Sequence, residues 1–129
     1  MNCKIVIGRD NTVYINFGLS PNYDHEIDRG YGLSMFLPNK LDKDDVERLR
    51  GFLKHESKSF YLIWNRWDGV SDDRWRELSN ITMNKDEFRM MSTYCKRGVE
   101  TTSGGFLTFK MNETFYEAFE EYLAYQDSF

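Results

Sequence analysis

The opening stretch KIVIGRDNTVYINFGL constrains the fold more than any other part of the chain. Ile5 and Ile7 alternate with polar neighbours along one run, and Val13, Ile15 and Phe17 do so along the next. A period of two places such residues on one face of a strand. Residues 8–11 between the runs read Gly-Arg-Asp-Asn, the residue types that tolerate a tight turn. Parallel pairing needs a crossover of a dozen residues or more, so two short runs this close together pair antiparallel. The run LSMFLP, ended by Pro38, predicts a third strand. Between them, SPNYDHEIDRGYG is polar and glycine-bearing, and is expected to be a surface loop.

Helix-start chemistry recurs four times beyond this point. Asp42, Ser71, Asn84 and Asn112 each follow an apolar residue that can staple to another five positions on: Leu41 with Val46, Val70 with Trp75, Met83 with Phe88, Met111 with Tyr116. A short polar side chain there accepts a backbone N–H that the first turn leaves without a partner. The pattern predicts helices near 43–55, 72–79, 85–97 and 113–126. Apolar stripes agree: Val46, Leu49 and Leu53; Phe88, Met91 and Cys95; Phe115, Phe119, Tyr122 and Leu123. ITMNKDEFRMMSTYC also admits a strand reading. Further strands are expected at 59–67 and 105–111. The predicted fold class is α+β, a largely antiparallel sheet of about five strands with three to four helices mainly on one face. At 129 residues, 1–129 is expected to be a single compact domain.

SFYLIWNRWDGVSDDRW contains all three tryptophans. On a strand, Phe60, Leu62 and Trp64 face one way, and Tyr61, Ile63, Asn65 and Trp67 the other. Apolar residues on both sides predict a central strand, covered on one face and partly on the other. Trp64 is expected in the core, and Trp75 packed on the second helix. Trp67, beside Asn65 and Arg66 and before the Asp68-Gly69 turn, is expected half exposed, where a rigid ring can anchor a partner.

Composition narrows the function classes. Phe, Tyr and Trp total 21, as many as Ile, Leu and Val together, and alanine occurs only at Ala118 and Ala124. Eight tyrosines and three tryptophans exceed what a 15 kDa interior buries fully, because their polar ends need partners. With 21 acids against 17 bases the net charge is −4, which disfavours nucleic acid as a direct ligand. The longest apolar runs are too short to span a bilayer. The N-terminus shows no export signal, so cytoplasmic localisation is expected. Cys3 and Cys95 are expected to be reduced, buried, structural thiols.

Two acidic groups stand out as candidate partner-binding residues. If 23–31 is extended, Asp24, Glu26 and Asp28 project from one face, flanked by Tyr23 and Tyr31. On the last helix, Glu117, Glu120 and Glu121 share an acidic outward side with Glu113 at the dipole-favoured first turn. Neither group has the ligand spacing of a calcium loop or zinc site, and no metal or cofactor is expected. VETTSGGF lacks the Gly-Lys-Ser/Thr ending of a phosphate loop, and GYGLSM lacks the spacing of a nucleophile elbow. His55 is expected at a helix end, beside the last carbonyls.

These features lead to one expectation and one alternative. The expectation is a non-catalytic binding protein that occludes a partner with a basic surface. Toxin-neutralising immunity proteins and phage-encoded inhibitors of defence enzymes are analogues in size and chemistry only. The alternative is a small enzyme or ligand binder using Asp24, His25 or Glu26 of the 23–31 loop as acid–base groups. Self-association is a further expectation.

Overall fold

The computed structural model describes residues 2–18, 32–68, 75–96 and 105–129, with residues 67, 68, 75, 96 and 106 described by backbone alone. The protein is α+β, with two antiparallel sheets and two helices among the described residues. Its elements divide between two compact units, residues 1–56 with 112–129, and residues 57–111.

The first unit begins with the expected hairpin. Strand β1 (Asn2–Ile7) pairs with β2 (Val13–Gly18), which pairs in turn with β3 (Gly32–Leu37). The turn closes through Gly8 N–H to Thr12 O at 2.7 Å and Thr12 N–H to Asp10 Oδ1 at 3.1 Å. Asn11 there adopts φ 63°, a left-handed conformation that asparagine tolerates better than most residues. One face of the sheet buries Cys3, Ile5, Val13, Ile15, Phe17 and Leu37. Burial pushes the Cys3 thiol well above its ordinary range, because the thiolate would lose its hydration. On the other face Tyr14 and Phe36, directly opposite in the register, bring their rings to 4.8 Å.

Two helices complete this unit. Helix α1 (Lys43–Leu53) is capped as predicted, Asp42 accepting the Asp45 N–H at 2.8 Å. It ends with Glu56 N–H bonded to Gly51 O and His55 N–H bonded to Phe52 O, the paired bonds of a Schellman stop. His55 takes the left-handed position at φ 61°, and its ring meets Tyr116 at 5.5 Å. Helix α2 (Glu113–Asp127) starts at Asn112, whose side chain accepts the Thr114 N–H, and packs against β1 and α1. Its apolar stripe buries Phe115, Ala118, Phe119 and Tyr122. Gln126, also buried, accepts the Leu41 N–H at 2.7 Å and donates to Asn39 O at 3.0 Å. Arg50 of α1 forms a two-pronged pair with Asp127 at 2.7 and 3.2 Å.

Tyr122 donates to Pro38 O at 2.5 Å, and burial holds its hydroxyl well above the usual phenol range. A raised folded pKa means the neutral phenol is favoured by folding. Its contribution is complete below the unfolded value of about 10 and is lost as pH rises above that. Denaturant midpoints measured from pH 8 to 11.5 should fall steeply above pH 10. Tyr122→Phe should flatten that alkaline limb while costing about 1 kcal/mol at neutral pH for the lost hydrogen bond.

The second unit is an antiparallel meander in the order β4 (Ser59–Asp68), β5 (Trp75–Asn84), β6 (Glu87–Lys96), β7 (Gly105–Lys110). Strands were expected at 59–67 and 105–111 and are present. The helices expected near 72–79 and 85–97 are not: residues 75–79 lie in β5 and 87–96 in β6. The single sheet of about five strands is likewise replaced by sheets of three and four.

The physical cause is visible at Asn84. Its Oδ1 accepts the N–H groups of Asp86 and Glu87, both at 2.8 Å. The same short acceptor that caps a helix closes a hairpin turn, and the flanking Met83 and Phe88 pair across the two strands. The presumed helical stripe Phe88, Met91, Cys95 splits accordingly, with Phe88 buried and Met91 exposed.

Candidate binding surfaces

In the four-stranded sheet, residues directly opposite one another form rows across the strands. On the buried face the first row is Phe60, Met83, Phe88, Phe109, and the second is Leu62, Ile81, Met90, Leu107. Both are wholly apolar. The third is Trp64, Ser79, Ser92, Gly105, and the fourth is Arg66, Glu77, Tyr94. One face therefore runs from hydrocarbon at one end to polar chemistry at the other.

Glu77, Ser79 and Ser92 are all buried. Ser92 Oγ lies 2.7 Å and Ser79 Oγ 2.9 Å from Glu77 Oε1, while the two hydroxyl oxygens are 3.1 Å apart. Two hydroxyl protons serve three close contacts, so one donor is shared or switches between acceptors. The indole Nε1 of Trp64, opposite Ser79, is buried without a hydrogen-bond partner. Trp64 is thus a core residue as expected. Sequence reasoning missed the cluster because it had assigned Glu77 and Ser79 to a helix. Alternation over REL-S-N-I-T-M, with Glu77 and Ser79 in phase with Ile81 and Met83, was the available signal.

The opposite face carries Tyr61, Ile63, Leu78 and Met91, 46, 52, 37 and 42% exposed. Ile63, Asn80, Met91 and Phe106 form its central row. Strand β4 was expected to be central and partly covered on this side. It is instead an edge strand of the sheet with these residues exposed. The segments expected to form covering helices became β5 and β6, which widen the sheet and do not layer over it.

Of the expected partner-binding residues, Tyr23, Asp24, Glu26, Asp28 and Tyr31 lie outside the described residues. Trp67 lies in β4, paired with Arg76, and is described by backbone alone. Trp75, expected on a helix, is instead the first residue of β5. Glu117, Glu120 and Glu121 are exposed on α2, as expected. None of the three has an ion-pair partner among the described residues. By contrast Asp45 pairs with Arg48, Glu47 and Asp127 with Arg50, and Glu87 with Arg89. Helix α2 contains no Lys or Arg at all.

The charge is unevenly shared. The first unit has eight Lys and Arg against fourteen Asp and Glu, net −6; the second has nine against seven, net +2. Among the described residues no group of three His, Cys, Asp or Glu is placed to hold a metal ion. No described helix is long and apolar enough to cross a membrane. No family model, curated protein or solved structure matches the chain.

Proposed function

We propose that this chain is a non-catalytic protein-binding inhibitor that occludes a partner with a basic surface, acting in the cytoplasm in the manner of an immunity protein or a phage-encoded anti-defence protein. The observation that carries this reading is the unneutralised outer side of α2. Glu117, Glu120 and Glu121 are exposed, lack ion-pair partners among the described residues, and belong to a unit of net charge −6. Carboxylates left unanswered in this way steer a cationic partner and raise its encounter rate. Asp24, Glu26 and Asp28 extend the acidic set, and Tyr23, Tyr31 and Trp67 are the proposed ring anchors.

The test is capture from a lysate of a host cell on the immobilised chain, followed by association kinetics with the captured protein. Reversing Glu117, Glu120 and Glu121 to Lys should slow association and remove its salt dependence, with circular dichroism unchanged. An unaltered association rate at low salt rejects the acidic surface. Capture of no protein at micromolar concentration rejects the inhibitor reading itself.

A further inference from the structure

The open face of the β4–β7 sheet combines two properties that differ from the rest of the protein. Its centre is aliphatic, with Ile63, Leu78 and Met91 exposed beside Tyr61. The register also places on it Arg76, opposite Trp67; Arg89, opposite Thr82 and Thr108; and Lys110, opposite Glu87. Glu87 is the one carboxylate among the described residues of this face, and it lies 3.2 Å from Arg89 Nε. Among the described residues, three cations against one acid give this face a net positive charge on a chain of net charge −4.

We propose that this face is a docking surface for an acidic partner protein, one whose contact patch is apolar at its centre and rimmed by carboxylates. Charge complementarity selects that occupant. The cations of the face pair with carboxylates and steer the encounter, while Ile63, Leu78 and Met91 lose water against the partner's apolar centre and slow its departure. Single-stranded nucleic acid shares the negative charge but binds by stacking successive bases on a series of rings, whereas Ile63, Leu78 and Met91, three of the four large exposed apolar side chains here, are aliphatic and Tyr61 is the fourth. A second copy packed face to face would oppose two surfaces of the same net charge across a twofold axis. The surface is distinct from the acidic side of α2, and the partner has the opposite sign of charge.

The test uses the full chain, isotope-labelled, titrated with three probes and read by amide chemical shifts. The probes are an amphipathic Leu/Glu helical peptide, its Leu/Lys counterpart and an oligothymidylate. The Leu/Glu peptide should shift the amides of Tyr61, Ile63, Leu78 and Met91 and bind less tightly as salt is raised. Arg76→Glu with Arg89→Glu should weaken it about tenfold, the scale of one or two close charge pairs. Ile63→Ser with Met91→Ser, both at exposed positions, should weaken it without changing its salt dependence. Reversal of Glu117, Glu120 and Glu121 should leave the set of shifted amides the same, which separates this surface from the one on α2. Failure of the Leu/Glu peptide to bind, or shifts confined to other residues, overturns the proposal. Equal binding of the Leu/Lys peptide, preference for the oligonucleotide, or dimerisation through these residues before any probe is added does so too.

Discussion

Phe119→Ala is expected to destabilise the protein by about 3–5 kcal/mol, the range for truncating a buried aromatic ring. Phe119 is fully buried on α2 and meets Tyr122 edge-on, with centroids 6.1 Å apart. Truncation forfeits the transfer free energy of the ring and leaves a cavity that the surrounding helix and strands fill only in part. Its ring neighbour Tyr122 is poorly placed to collapse inward, being held by its hydrogen bond to Pro38 O. Domains of this size have only about 5–15 kcal/mol in total, so the variant should sit near the edge of folding at 37 °C. Phe119→Leu keeps most of the volume and should cost much less. Urea unfolding of the three proteins decides the matter. A midpoint for Phe119→Ala close to that of wild type would mean that α2 does not depend on this ring.

Glu77→Ala is expected to cost about 3 kcal/mol, through a different mechanism. Its Oε1 faces two buried hydroxyls, Ser79 at 2.9 Å and Ser92 at 2.7 Å. Removing the carboxylate strips both of that acceptor, and each buried polar group left unsatisfied costs about 1–3 kcal/mol. The two hydroxyls can still bond each other at 3.1 Å, which limits the loss. Glu77→Gln retains an acceptor oxygen and should be much milder. The informative variant is the triple change Glu77→Met, Ser79→Ala, Ser92→Ala. If the cluster is a satisfied polar network in an otherwise apolar layer, removing every member together should restore most of the lost stability. Thermal melts of the single and triple variants separate the cases. A triple variant less stable than Glu77→Ala would show that the cluster contributes more than its internal bonds.

The two predictions fall on opposite sides of what local pattern reveals. Phe119 was legible in the sequence: Phe115, Phe119 and Tyr122 recur at helical spacing behind the Asn112 cap, and all are buried on α2. The β1–β2 hairpin, β3, α1, β4 and β7 were legible in the same way, because period, cap and turn chemistry agreed at each. Glu77 was not. Its segment offers a polar acceptor after an apolar residue and a ring five positions on, features a helix start shares with a hairpin turn. Local chemistry at Asn84 is identical under both readings, since one side-chain oxygen accepts two backbone N–H groups either way.

Pairing along whole strands made the choice. Ser59–Asp68 offers an unpaired row of backbone donors and acceptors, and Trp75–Asn84 satisfies it along ten residues while matching Phe60 to Met83 and Leu62 to Ile81. A helix over the same residues would satisfy its own backbone but leave that row open and those side chains unmatched. The sequence by itself thus determined α1 and α2, the strands with clean alternation, and the acidic outer side of α2, all of which depend on neighbours within a few positions. Only the tertiary structure decided that residues 75–96 extend a sheet, leaving Tyr61, Ile63, Leu78 and Met91 on an open face and Glu77 inside. Strand pairing is a contact between two whole segments, here consecutive ones, and the local cap and turn chemistry at Asn84 does not encode whether the residues after it coil into a helix or return along a partner strand.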